Sequence, residues 1–84
     1  MELHLINGQF STQEAITLLT EMIAVKIKYH EKKIIDNHYE EDVKMREQKI
    51  KLLQNELAES RNYIQNQSGN INIKGTINIE TNEK

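Results

Sequence analysis

The side chains with most capacity for chemistry in this 84-residue sequence are three histidines, His4, His30 and His38, and thirteen acidic residues. His30, Glu31, His38, Glu41 and Glu47 gather in the middle of the chain, and imidazole nitrogen with carboxylate oxygen is a donor set that divalent metals accept. Helical bundles that hold two metals present Glu-x-x-His on each of two helices, and no Glu-x-x-His occurs here. The absence of cysteine removes disulfides, thiolate metal sites and cysteine nucleophiles together. Gly8, Gly69 and Gly75 follow neither of the spacings that cradle phosphate. The expectation is therefore a non-enzyme without cofactor or metal, in which Ser11 caps a helix and His30 forms a polar layer across from Arg46 or Glu47.

Those residues are carried by a chain short enough for one domain and too short to bury a large core. With 37% hydrophobic and 29% charged residues and a net charge of −2, it belongs with ordinary soluble proteins and has no overall attraction for phosphate or anionic lipid. The longest apolar region, Ile16 to Ile27, is broken by Thr17, Thr20, Glu21 and Lys26 and is too short to span a bilayer. The start, Met-Glu-Leu-His-Leu-Ile, lacks the basic and long apolar regions of a secretory signal, so a cytoplasmic location is expected.

Met1, Leu3 and Leu5 alternate with Glu2 and His4 before the turn signal Asn7-Gly8, which reads as a short strand over 2–6. Ser11 and Glu14 have capping-box spacing, with Phe10 at the staple position, so the first helix is expected over about 12–36. Ile16, Leu19, Ile23, Ile27, His30 and Ile34 share one face of it. Asp36 to Asp42 interrupts this stripe, and Asn37 with Glu40 repeats the capping spacing. A second helix over about 39–66 then carries Val43, Ile50, Leu53, Leu57 and Ile64 at heptad-like spacing, with Arg46 and Ser60 in two of the slots. Folding the chain about 38–39 sets Ile34 against Val43, Ile27 against Ile50, Ile23 against Leu53 and Leu19 against Leu57. The predicted fold class is mainly α, an antiparallel, coiled-coil-like two-helix hairpin. The competing arrangement is one uninterrupted helix from Thr12 to about Gln65, since no Gly or Pro lies between Gly8 and Gly69.

After residue 67 the composition changes to Gly-Asn-Ile-Asn-Ile-Lys and Gly-Thr-Ile-Asn-Ile-Glu, a β tail over 68–84 in which Ile71, Ile73, Ile77 and Ile79 share one face. It reads as a single strand, or as a hairpin turning at Lys74-Gly75, able to meet the N-terminal strand and to pair with another chain. A second row beside the helical stripe, Leu18, Met22, Val25 and Tyr29 with Met45, Leu52 and Tyr63, is left over once two helices have packed. That row is the expected oligomer interface, and the simplest closed assembly is a dimeric four-helix bundle.

The order strand, helix, helix resembles that of ribbon-helix-helix DNA-binding proteins, although in order alone: the strand lacks the Arg, Lys, Asn and Gln that read base edges. Lys26, Lys28, Lys32 and Lys33 with Lys44, Arg46, Lys49 and Lys51 are interleaved with acids, as on a solvated helical face. The functional expectation is a homo-oligomeric protein-protein interaction module, a dimer or tetramer serving as scaffold, adaptor or small regulator for a protein client. A dimeric nucleic-acid-binding regulator using the lysine-rich surface is the alternative. No membrane partner is expected.

Overall fold

At Ser11 the chain passes from extended to helical within one residue. The Ser11 hydroxyl accepts from the Glu14 N–H at 3.1 Å, and the Glu14 carboxylate accepts from the Ser11 N–H at 3.0 Å. This reciprocal capping box holds two of the N–H groups that a helix start leaves without partners. Phe10, one residue before the cap, packs on the cluster containing Ala15, which is the staple contact. The computed structural model describes residues 1–36 and 39–82. The elements are β1 (Glu2–Phe10), α1 (Thr12–Asp36), α2 (Glu40–Gln65) and β2 (Ile71–Asn78).

The helices form the packed antiparallel hairpin rather than one continuous rod. Their register follows the expected fold line: the Arg46 guanidinium donates to His30 Nδ1 at 2.9 Å, two residues whose numbers sum to one less than the predicted 77. The Asn37 cap proposed for α2 lies outside the described residues. Tyr39 stands at the N-cap, with no side-chain hydrogen bond to the helix start, and the acidic run Glu40, Glu41 and Asp42 occupies the first turn. Those charges favour the positive end of the helix dipole. At the other end Asn66 closes α2, and Gly69, at φ 87°, supplies the left-handed residue through which the chain enters β2.

One sequence expectation about the strands is corrected and one pair of alternatives is decided. β1 does not stop at Ile6 for a turn at Asn7-Gly8, and of the two readings of the tail the single strand forms, not the hairpin at Lys74-Gly75; β1 and β2 both run straight through these dipeptides, antiparallel to each other. The ladder between β1 and β2 satisfies the backbone groups that a local turn would have used, and neither Gly8 nor Gly75 has positive φ. Each glycine instead makes room. A Cβ on Gly75 would lie 3.1 Å from Ile6 Cγ2, and one on Gly8 would lie 3.6 Å from the Phe10 ring.

The register shifts by one residue between His4 and Ile6, so Leu5 is an extra residue in β1. This bulge decides which side chains share a face. Leu3 pairs with Ile77, and beyond the bulge Ile6, Gly8 and Phe10 pair with Gly75, Ile73 and Ile71. The apolar face of the ribbon thus carries Leu3, Ile6 and Phe10 with three isoleucines of β2, while Leu5, for all its alternation with Leu3 in the sequence, has no partner in the ladder and is 50% exposed.

Ribbon and hairpin meet at one corner. Ala15, Ile16 and Ile64, at 0, 8 and 4% exposure, form its centre, and Phe10, Leu19, Ile71 and Ile73 pack around them. Further along the hairpin only Leu53 and His30 are buried among the described residues. The result is a flat molecule of 47 × 30 × 14 Å. Its radius of gyration is 15.8 Å, where a compact chain of this length would have about 12 Å.

Candidate functional site: an uncovered apolar face and a polar layer

Helical geometry places the second row on one side of the hairpin. At 3.6 residues per turn, Leu18, Met22, Val25 and Tyr29 lie about 130° from the α1 core stripe, and Met45, Leu52 and Tyr63 lie about 115° from the α2 stripe in the same rotational sense. Because the helices are antiparallel, the two rows emerge on the same broad face. Lys26 of α1 and Leu52 of α2 accordingly line one groove there, with His30, Lys49, Leu53 and Glu56. The opposite face presents Thr17, Lys28, Glu31, Glu47, Lys51 and Gln54, all exposed. Ile35, 77% exposed, departs from that pattern.

Leu18 and Met22, in the first half of α1, are half-buried. Val25 (70%), Tyr29 (54%), Met45 (42%), Leu52 (57%) and Tyr63 (66%) are open to solvent. On the ribbon, Ile71 and Ile73 are half-buried against the hairpin, whereas Ile77 and Ile79 are exposed. Leu3, beside Ile77, is exposed as well. The total accessible surface is 7105 Å², where a folded monomer of 9.9 kDa would expose about 5,200 Å². The difference, roughly 1,900 Å², is comparable to what one subunit contributes to a large obligate interface.

His30 and Arg46 form a polar layer in the hairpin core. His30 is 5% exposed, and an arginine can only donate, so its Nδ1 is the acceptor in the Arg46 bond and the imidazole proton sits on Nε2. Burial lowers the His30 pKa below the ordinary histidine value, and the positive charges of Arg46, Lys49 and Lys26 lower it further. Tyr29 closes the layer from the exposed face: its ring meets His30 edge-on at 5.5 Å, and the Arg46 guanidinium and Lys33 ammonium each lie 5.7 Å from its centroid. Arg46 Nε is buried without a hydrogen-bond partner among the described residues.

Among the described residues no group of three or more His, Asp and Glu side chains is arranged to hold a metal ion. No described helix is long and apolar enough to cross a membrane. What the sequence missed is the other strand's contribution: Ile6 lying across Gly75, and the bulge that brings Leu3 onto the isoleucine face. The pairing partner of each residue decides both, and period-two alternation carries no record of it.

The fold and its surfaces define a helical hairpin extended by a two-stranded antiparallel ribbon, with one broad face uncovered. No family model matches the chain, and neither does any curated protein or solved structure.

Proposed function

We propose that this chain is a non-enzymatic homo-oligomeric interaction module, in which two hairpins pack face to face through Leu18, Met22, Val25, Tyr29, Met45, Leu52 and Tyr63 as a four-helix bundle. The observation that carries the reading is the alignment of this row on one side of the hairpin, in a molecule whose total surface exceeds that of a compact monomer by roughly 1,900 Å². A two-fold operation suits it, because an isologous contact uses the same patch on both copies and closes on itself. The assembly then serves as a scaffold, adaptor or small regulator through surfaces the bundle leaves free.

Leu52, near the middle of the face, gives the test. Truncation to alanine removes about 1 kcal/mol of apolar burial on each copy, so about 2 kcal/mol per dimer and a roughly 30-fold weaker association. Sedimentation equilibrium on the full chain and on Leu52→Ala reads it. A chain that is monomeric at all concentrations, or an oligomer indifferent to the substitution, refutes the reading.

The nucleic-acid alternative has one observation in its favour, that Lys26, Lys49 and Arg46 converge around His30 on the same face. Salt-dependent retention on duplex DNA, lost on Lys26→Ala with Lys49→Ala, is its test.

A further inference from the structure

We infer that the open edge of β2 pairs antiparallel with β2 of a second copy about a two-fold axis at Gly75, giving a continuous four-stranded sheet in the order β1, β2, β2 of the partner, β1 of the partner. The inference rests on the homo-oligomeric reading above and adds a second surface to it, which adjoins the first at Tyr63.

The sequence of β2 is symmetric about Gly75. Ile71-Asn72-Ile73-Lys74 on one side is answered by Thr76-Ile77-Asn78-Ile79 on the other, so the order Ile, Asn, Ile reads the same in both directions. An antiparallel strand crossing itself at Gly75 sets Ile73 against Ile77, Ile71 against Ile79, Asn72 against Asn78 and Lys74 against Thr76. Apolar meets apolar, amide meets amide, and no like charges are opposed.

The hydrogen-bond phase allows this register. Met1 and Ile79 exchange both backbone bonds, at 2.8 and 2.7 Å. Antiparallel ladders alternate, so the odd-numbered residues of β2 turn their polar groups toward β1, and Asn72, Lys74, Thr76 and Asn78 turn theirs outward. These are the residues that the self-pairing joins in hydrogen-bonded pairs, Asn72 with Asn78 and Lys74 with Thr76. Odd-numbered residues, the isoleucines, face one another on the apolar side.

Two features single out this edge. The bulge at Leu5 disrupts the outer edge of β1, a device that discourages strand addition, while β2 has no extra residue, no proline and an unbroken ladder. Beside Ile71 and Ile73, between β2 and α2, lies a groove of about 370 Å³ whose apolar lining is Leu19, Tyr63, Ile64 and those two isoleucines. In the proposed register, Ile77 and Ile79 of the second copy stand next to Ile73 and Ile71, at the mouth of this groove. The pairing therefore accounts for a difference within one strand: Ile71 and Ile73 are covered by their own hairpin, and Ile77 and Ile79, exposed at 43 and 48%, are covered by the partner's.

Since the chain has no cysteine, Asn72→Cys and Asn78→Cys, both on the exposed side, report the register directly. Opposed Cα atoms in a hydrogen-bonded pair lie about 5.5 Å apart, within disulfide range, whereas Asn72 and its own copy would be separated by about 20 Å. Under mild oxidation, a mixture of the two full-length variants gives a linked species of doubled mass at least tenfold above either variant alone. Ile79→Asp, at a position already half-exposed in the chain, leaves helix content unchanged and weakens strand-mediated association by about tenfold or more, because a carboxylate is brought against Ile71 and into a groove that already carries Glu59. A mixture no more cross-linked than its components, from a chain that remains oligomeric and sensitive to Leu52→Ala, overturns the strand pairing alone; a chain that is monomeric throughout overturns both readings.

Discussion

Ile64 is where the molecule is held together, and truncating it to alanine measures how much depends on that corner. The side chain is 4% exposed and touches the cluster that joins α1, α2, β1 and β2 through Ile16, Phe10, Leu19 and Ile71. Removing three buried carbons from a large aliphatic residue costs about 2–5 kcal/mol, and a site at the junction of four elements has little freedom to collapse, which favours the upper half of that range. A chain of this size has of the order of 4–13 kcal/mol in total. At about 4–8 °C per kcal/mol, a loss near 4 kcal/mol lowers the melting temperature by roughly 16–32 °C. Thermal unfolding by circular dichroism gives the shift, at one fixed protein concentration so that association does not enter. Amide exchange separates the elements: β1 and β2 lose protection before the middle of the hairpin does, because the ribbon has no other substantial anchor. A melting temperature lowered by less than about 4 °C, or equal loss of protection across all four elements, refutes the argument that ribbon and hairpin are coupled at this one corner.

Acid should act through His30. Its folded-state pKa lies below the unfolded value, so the neutral imidazole contributes stability that is complete above the unfolded histidine pKa and is lost as pH falls below it. Protonation also removes the Nδ1 acceptor from Arg46. A His30→Gln variant, which keeps a hydrogen-bond acceptor without the titration, should flatten denaturant midpoints between neutral pH and pH 5; an unchanged slope would contradict the assignment. Deleting Leu5 should be tolerated, since Leu3 still meets Ile77 and Ile6 still meets Gly75, and the lost residue is 50% exposed. Deleting Asn7 instead turns Ile6 off the apolar face, and equal losses of thermal stability in the two deletions would show that the bulge does not set the register.

The helical part was legible because its signals are local. Ser11 and Glu14 lie three residues apart, and the stripe from Ile16 to Ile34 needs no knowledge of the partner helix to be seen. Even the fold line could be read, because two apolar stripes, if paired, must match layer for layer, and His30 falling on the stripe opposite Arg46 marked the polar layer in advance. The ribbon was legible as two separate strands and illegible at their limits. Asn7-Gly8 and Lys74-Gly75 have the composition of turns, and only the presence of the other strand makes extended pairing the better use of their backbone groups. Leu5 shows the same limit at a single residue: a bulge is invisible to alternation, because it is defined by the residue it lacks opposite it.

The symmetry of β2 bears on why a turn-like Lys74-Gly75 stands in the middle of a strand. Gly75 lets Ile6 pass over the ribbon with its Cγ2 3.1 Å from where a Cβ would be, so on one side it serves the chain's own packing. At the centre of a two-fold crossing, the same missing side chain keeps two copies of position 75 from meeting on the apolar face, and leaves that space to Ile6 from each copy. A glycine kept only for the first reason would need no matching sequence around it. The palindrome of isoleucine and asparagine on either side is what the second reason requires, and the exposed Ile77 and Ile79 are its consequence in a chain standing alone.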